Sequence, residues 1–551
     1  MSKPLQVGLL VDSTAVGKTT YDLVQTSIGS QGYEVTALIV LDQNVSSTAN
    51  PLHKIISVFY RNGVRGVLEA LMLKAIIFFE SLFLLRSRGL KDQLCSHDIS
   101  LLDIPKIIIN PAVSPSGLVL RVDNDIEKIR SLNLDVLIRC GSGILKGSIL
   151  NVCEYGVLSF HHGDNRVNRG GPPAFWEVRY KLPSTGFIIQ RLTDELDGGD
   201  VVFRGNIPTD YSYARNLARL YRKSGFFMAN FLEQLAVHRA YPSVESKVPY
   251  SHSLFRRPSI TNQLAYLIGV TTAVFNKSFR LLMGNPLVWG VGFQFVNHWR
   301  DSVLHRCQII ENPMGSYLAD PFVIYRDGRY FCFLEEYEFS RDKGVISVYE
   351  VSKHSTERLG VVVDESFHLS FPFLFEIGQD LYMCPETSEA DEIRLYKCIT
   401  FPCEWRYEKT LMHNVSAVDT ILFEKDGIFW MLTNICSAGV GENASELHIF
   451  WSNNFLSDEW HKHSGNPVVF DSRYARNGGL IFDGEEILRV FQKQGCDVYG
   501  ESFGVAKITE ITKTTFVEEE IASVTPDFLS GLRGTHSMSN SHRLVAIDFC
   551  K

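Results

Sequence analysis

The chain has 551 residues, of which 45% are hydrophobic and 21% charged, so it can bury large cores without staples and bulk disorder is excluded. Its 54 Lys and Arg against 62 Asp and Glu give a net charge of −8, without the basic footprint of a nucleic-acid binder. The 11 Cys are scattered, with no CxxC pair and no Cys/His cluster at zinc spacing, so single thiols in a reducing compartment and no metal site are expected.

The apolar run from Val7 to Val11 is too short for a signal-peptide core and reads as a strand. The stretch Asp12 to Thr20, DSTAVGKTT, resembles a phosphate-binding loop, but Asp12 stands where that motif needs Gly. A carboxylate there would repel phosphate, so a strand–helix turn is expected. Further apolar runs follow: YEVTALIVL, KIIINP, LDVLIRC and GVLSF. They alternate with helical stretches such as Thr19 to Ile28 and Asp125 to Ser131, which predicts an α/β domain with a mainly parallel, Rossmann-like open sheet over residues 1–245.

Residues Val58 to Arg88 interrupt the alternation with an apolar helical pattern flanked by Arg61, Arg65, Arg86 and Arg88. A helix packed on the sheet is the first reading. An interfacial helix, making a peripheral contact with an anionic membrane through residues 58–88, is the second. The most apolar window, Gly66 to Leu85, carries Glu69, Lys74 and Glu80, which argues against a spanning helix and for a cytoplasmic protein, with the inner membrane face as the place of any contact. Residues 246–288 read as a helical connector: polar and Pro breakers, a helix from Ile260 to Met283, then Gly284-Asn285-Pro286.

From Trp289 the texture changes to short strands and aromatic-rich turns, with an internal repeat. ADPFVIYRDGRYFCFLEE, SFPFLFEIGQDLYMCPET, AVDTILFEKDGIFWMLTN and RNGGLIFDGEEILRVFQK each place a Gly-containing turn between two apolar runs. Asp320, Phe371 and Asn477, second in their copies, and Asp419, third in its copy, recur at a period near 50, and GTHSMSNSHRLVAID is a weaker fifth copy. Hairpin units at this period predict an all-β five-bladed β-propeller over residues 289–551. The leading positions of each repeat should then converge on the axis: Asp320, His368 with Ser370, Asp419, and Arg476 with Asn477. Glu336 and Glu386 come near the ends of second runs. Such a set of acids with an Arg suits a sugar, and Arg476 suggests an acidic or phosphorylated one.

The richest stretch of the first domain runs from Leu134 to Asp200. A strand leads into the loop Cys140, Gly141, Ser142, Gly143, Ile144, Leu145. A second strand ends in His161, followed by Arg169-Gly170-Gly171-Pro172-Pro173, Trp176, a strand after Thr185-Gly186, and Leu196-Asp197-Gly198-Gly199-Asp200. This joint pattern resembles the 10-formyltetrahydrofolate-dependent formyltransferases that act on methionyl-tRNA, glycinamide ribonucleotide and sugars. The resemblance implies that His161 and Asp197 are catalytic, that the Cys140–Leu145 loop binds the cofactor 10-formyltetrahydrofolate, and that Arg169 and Gly170 border the substrate. An amine would attack the formyl carbon while donors hold the oxyanion. Where the family has an Asn two residues before the His, this chain has Ser159. Asn165, Asn168 and His162 are the candidate replacements.

The repeat region resembles the N-terminal propeller-like domain of glucosamine inositolphosphorylceramide transferases through LADPF, FHLSFPFLFE, LYMCPET, FPCEW, AVDT and ARNGG, and also five-bladed glycoside hydrolases. The latter resemblance implies Asp320 as base and Asp419 as modulator. The acid expected on blade four is replaced by ARNGG, with Glu386 as a substitute. The combined reading is formyl transfer from 10-formyltetrahydrofolate to the amine of an amino sugar in surface glycan assembly, with a carbohydrate-binding propeller. The alternatives are a carbohydrate-active propeller, hydrolase or transferase, with a degenerate formyltransferase-like domain, and a non-catalytic glycan-binding scaffold.

Overall fold

The computed structural model describes residues 3–41, 51–84, 87–114, 119–195, 198–242, 244–282, 287–439 and 442–551. The chain forms two compact units, Met1–Phe275 and Asn276–Lys551.

The first unit is built on a seven-stranded sheet. Its strands are β1 (Leu5–Val11), β2 (Tyr33–Leu41), β3 (Lys106–Ile109), β4 (Val136–Cys140), β5 (Val157–His161), β6 (Ser184–Arg191) and β7 (Asp200–Pro208). They lie in the order β7-β6-β5-β4-β1-β2-β3. The pairs β1–β2, β1–β4, β2–β3 and β4–β5 are parallel, while β5–β6 and β6–β7 are antiparallel. The central strands read as unbroken apolar runs because both faces are covered: Leu5, Val7 and Leu9 to Val11 are all fully buried. After β1 the chain enters α1 (Lys18–Ser27), which packs against the long α3 (Tyr213–His238). Between them in sequence lies α2 (Pro51–Phe83), broken at Gly63, whose φ is 65°. Strand order reverses between β1 and β4, and the carboxyl ends there form the crevice where such sheets hold ligands.

The expected connector is corrected in part. Residues 246–275 belong to the first unit. Phe255 stacks on Trp176 with ring centroids 5.2 Å apart, and its carbonyl accepts a bond from the Gly171 N–H at 3.2 Å. Tyr266, on helix α4 (Ile260–Leu282), packs on Phe175 and accepts a bond from the Tyr213 N–H at 2.8 Å. These aromatic rings complete the core over the short helix Phe175–Arg179, so the segment is needed for packing and not only for linkage.

The second unit consists of five antiparallel sheets. Blade one spans Ser316–Val363, blade two Ser370–His413, blade three Ala417–Phe470 and blade four Asn477–Val524. Blade five is shared by the two ends of the unit: Met538–Ser541 and Leu544–Cys550 are completed by Trp289–Phe295 and Gln308–Ile310. Residues 289–310 therefore close the ring and do not begin blade one. Asp327-Gly328 and Asp426-Gly427 turn the first hairpins of blades one and three with both residues at positive φ, the geometry that joins two right-twisted strands tightly.

Candidate functional site

The inner strand of each of the first four blades carries a bulge near its start, at Ala319/Phe322, Ser370/Phe373, Val418/Ile421 and Asn477/Gly479. In blades one to three the bulged residue adopts left-handed backbone: Asp320 at φ 48°, Phe371 at 45° and Asp419 at 50°. Such backbone costs a non-glycine residue roughly 1–2 kcal/mol, and it re-aims a side chain out of the strand's alternation.

Asp320 and Asp419 are thereby brought into one buried cluster. His536 Nε2 lies 3.6 Å from Asp320 Oδ1, and His536 Nδ1 lies 2.5 Å from Asp548 Oδ2. The Phe371 N–H donates to Asp320 at 3.3 Å. Arg476 Nε donates to Asp419 at 2.6 Å, Gln492 Nε2 donates to the same oxygen at 3.0 Å, and Arg476 Nη2 lies 3.7 Å from Glu386. Ser388 Oγ donates to Glu386 at 2.7 Å. The half-exposed Tyr499 ring covers the Arg476 guanidinium at 4.9 Å, and Trp289 stacks on His536 at 4.2 Å. Among the described residues, Asp320, His536 and Asp548 have donor atoms within 4.8 Å of one another, a spacing that could hold a metal ion.

Burial pushes Asp320 up to about 7, the nearby His536 opposing the rise and Asp548 and Asp419 adding to it. Burial likewise pushes Asp419 up to about 6 against the pull of Arg476. Burial disfavours the charged form of His536, but the Asp548 and Asp320 carboxylates outweigh it and raise its pKa.

Several expected residues are placed otherwise. Glu336 faces away from the axis, accepting from Ser347 Oγ at 2.6 Å and Arg358 Nε at 2.9 Å. Its neighbour Glu335 takes the inward place: burial and the Asp320 and Glu386 charges raise its pKa, and His368 Nε2 lies 3.6 Å away. His368 Nδ1 accepts from the Gly344 N–H at 2.9 Å. Asn477 is fully buried as a tie between blades, its Nδ2 donating to the Asp419 and Leu432 carbonyls at 2.8 and 3.0 Å. It has no surface for a ligand. Glu335, His536, Asp548, Gln492, Tyr499 and Trp289 were not singled out by sequence. His536 sits in the weak fifth repeat, which was the available signal. An apolar cavity of about 440 Å³, lined by Leu374, Phe375, Leu422, Phe429 and Phe455, is elsewhere on the propeller and shares none of the axial residues.

In the α/β unit the crevice at the strand reversal is bridged. Arg139 Nη2 donates to Asp12 Oδ1 at 2.6 Å. Asp12 Oδ2 accepts from the Ser142 N–H at 2.8 Å and from its Oγ at 2.9 Å. Asp12 thus ties the Cys140–Leu145 loop to β1, which explains the carboxylate in the apparent phosphate loop. A Cβ on Gly141 would meet Arg139 Nη1 at 2.3 Å and Asp12 Oδ1 at 2.6 Å, so a side chain there would displace this ion pair. Gly141, Ser142 and Gly143 are exposed, Ile144 is half-buried and Leu145 is buried. Burial pushes the Cys140 thiol up to about 11.

His161 ends β5, and its Nε2 donates to the Asn168 carbonyl at 2.8 Å. Ser159 Oγ donates to the Phe160 carbonyl at 3.2 Å. All three candidate replacements for the family's amide have partners. Asn168 donates to Glu177 at 2.9 Å and accepts from the Gly170 N–H. Asn165 accepts from Arg204 at 2.9 Å. His162 lies 3.0 Å from Ser224 Oγ, and burial, with His161 beside it, pushes its pKa down to about 3. Arg169 stacks over Tyr250 at 4.6 Å and lines a polar cavity of about 300 Å³ with Arg166, Arg204, Gly198 and Lys247. Gly170 is closed off: a Cβ there would meet the Phe255 carbonyl at 1.9 Å. Asp197, with Leu196, lies outside the described residues. Among the described residues, the side chains of Asn165, Asn168 and His162 are thus all engaged by protein partners beside His161.

Two resemblances meet in this one chain. The family model described as glucosamine inositolphosphorylceramide transferase 1, N-terminal, matches residues 303–546. The glucosamine inositolphosphorylceramide transferase 1 of Oryza sativa subsp. japonica is 34% identical over 209 residues, covering 37% of this chain and 28% of that protein. The methionyl-tRNA formyltransferase of Ehrlichia canis (strain Jake) is 23% identical over 236 residues, covering 40% of this chain and 74% of that one. Among solved structures, the catalytic domain of the Coprinopsis cinerea GH62 alpha-L-arabinofuranosidase aligns at 12% identity and a TM-score of 0.31, over 42% of this chain and 90% of that one. The chain spans little more than a quarter of the length of the first of these relatives. A formyltransferase-like α/β domain is thus followed by a five-bladed propeller.

Proposed function

We propose that this chain is a transferase of glycan assembly that takes its sugar at the propeller axis, while the first domain keeps a formyltransferase-like fold. The observation that carries this reading is the axial cluster: the carboxyl groups of Asp320, Glu335, Glu386 and Asp419, with the fully buried Asp548 holding His536 behind them, against Arg476 and His536, and the Tyr499 ring half-exposed beside them. Carboxyls in that number accept from sugar hydroxyls, and an aromatic face stacks on the apolar side of a pyranose. Arg476 is already matched by Asp419 and lies 3.7 Å from Glu386, so it offers no unmatched cation to an acidic sugar, and the carboxyl groups outnumber the cations. The axis therefore favours an amino sugar, and the sequence-based preference for an acidic glycan is reversed. The test is calorimetric binding of a glucosamine oligosaccharide, its N-acetylated form and a uronic-acid oligosaccharide to the full chain. The amino form should bind best, and Asp419→Asn and Tyr499→Ala should each weaken it by about 10-fold. Equal binding of all three, or no effect of either substitution, refutes the reading.

A second reading keeps formyl transfer to the amino-sugar amine. It is supported by His161 at the end of a central strand and by the similarity to formyltransferases. Titration of 10-formyltetrahydrofolate into the full chain tests it. If transfer occurs, His161→Ala should lower it by about 100-fold or more, and Ser159→Asn should raise it.

A further inference from the structure

Helices α2 and α4 are amphipathic in the reverse of the usual sense. On α2 the residues turned to the protein include Glu80, which accepts from Ser212 Oγ at 2.9 Å, from the Ala214 N–H at 2.8 Å and from the Tyr266 hydroxyl. On α4 the inward residues are Gln263 and Tyr266, both nearly or fully buried, and Gln263 Nε2 donates to the Glu69 carbonyl at 2.9 Å. The outward stripes are apolar. Val64, Leu68, Leu71, Phe78 and Leu82 recur at helical spacing on α2 and are all 40% exposed or more. On α4, Leu264, Ile268 and Phe275 do the same, Ile268 at 66% and Phe275 at 65%. A helix that spends its polar groups on the protein and shows its apolar side to the outside is not built to face water.

Arg256 and Arg257 come just before α4 in sequence, in a chain whose net charge is −8. On α2, Lys74 borders a groove of about 280 Å³ with Lys91, floored by Ile77, Phe78 and Leu94. Two ammonium groups over an apolar floor match a phosphate headgroup above acyl chain. No helix among the described residues is long and apolar enough to cross a membrane. From the outward apolar stripes and the basic border, we infer that α2 and α4 together form a docking face that lies in the surface of an anionic lipid bilayer.

Flotation of the full chain with vesicles tests this. Phosphatidylcholine vesicles carrying roughly one-third phosphatidylglycerol should bind the chain, phosphatidylcholine alone should bind it at least about 10-fold more weakly, and high salt should release it. Phe79, beside Phe78 on α2, is 60% exposed and Ile268 66%, so Phe79→Ser with Ile268→Ser changes only exposed positions and should lower binding about 10-fold or more, with unchanged circular dichroism and melting. Lys74→Glu with Lys91→Glu should lower binding to anionic vesicles only. Failure of the unaltered chain to float with either vesicle overturns the inference, as does binding unaffected by the paired serine substitutions. A stable dimer that Phe79→Ser with Ile268→Ser dissociates, without vesicle binding, assigns the face to a second copy of the chain instead.

Discussion

Glu335 and Glu336 are sequence neighbours with opposite surroundings. Strand alternation sends one to the axis and the other to Arg358, and the sequence pattern alone did not tell which. The two should respond differently to substitution. Glu336→Gln leaves Arg358 short of its partner and should cost stability of about 1–3 kcal/mol by chemical denaturation, with sugar binding unchanged. Glu335→Gln should alter binding. The acids at the axis also set a pH dependence. Asp320 and Asp419 have pKa values of about 7 and about 6 in the fold, above an ordinary 3.8, so the fold favours their protonated forms. That contribution is full below the ordinary value and is lost as the pH rises through 6 to 7. His536, raised above its ordinary 6.5, stabilises the fold when charged and loses that contribution as the pH rises through its raised value. Asp548, which is lowered, opposes this only as the pH falls below its ordinary 3.8. The propeller should therefore melt several degrees higher at about pH 5 than at about pH 8, and Asp320→Asn should shrink the difference. A melting temperature flat between these pH values would show that the cluster is not held in this state.

Elements were more legible than their roles. The apolar runs at Leu5–Val11, Tyr33–Leu41, Val136–Cys140 and Val157–His161 announce buried parallel strands because nothing but burial on both faces tolerates such runs. The repeat announces the blades because each hairpin needs the same turn chemistry. What sequence did not disclose is long-range: that Asp12 ties down the loop after β4, or that Phe255 and Tyr266 belong to the first core. Local patterns carry no information on partners about 80 or more residues away. The packing of Phe255 and Tyr266 has a measurable consequence. A fragment ending at residue 245 uncovers Trp176 and Phe175, and loss of large aromatic contacts costs about 3–5 kcal/mol each at full burial. Residues 1–245 should be aggregated or melt at least about 10 °C below residues 1–282. Equal melting would mean that α4 and the segment before it only rest on the surface.

At the scale of the whole second unit, the chain closes a ring by pairing its two ends. Trp289–Phe295 runs antiparallel to Leu544–Cys550 over seven residue pairs, from Trp289 opposite Cys550 to Phe295 opposite Leu544. Four of the five blades are contiguous in sequence and could form their ladders alone. Blade five cannot, because two of its four strands come from each end. Its strands and the segment leading into them also carry part of the axial site: His536 and Asp548 come from the C-terminal side, and Trp289, stacked on His536, from the N-terminal side. Closure and site assembly are therefore one event. Without Trp289–Ile310 the apolar faces of Leu544, Ala546 and Ile547 lose their cover, and the edge of Leu544–Cys550 is left open to pair with other chains. A fragment of residues 312–551 should thus aggregate or fail to melt cooperatively, whereas residues 287–551 should give one cooperative transition. A synthetic peptide of residues 287–311 added during refolding should restore that transition to the shorter fragment, and with it the binding of the glucosamine oligosaccharide. If the shorter fragment alone melts cooperatively and binds as well as the longer one, the ring does not depend on this clasp and the axial site is complete without it.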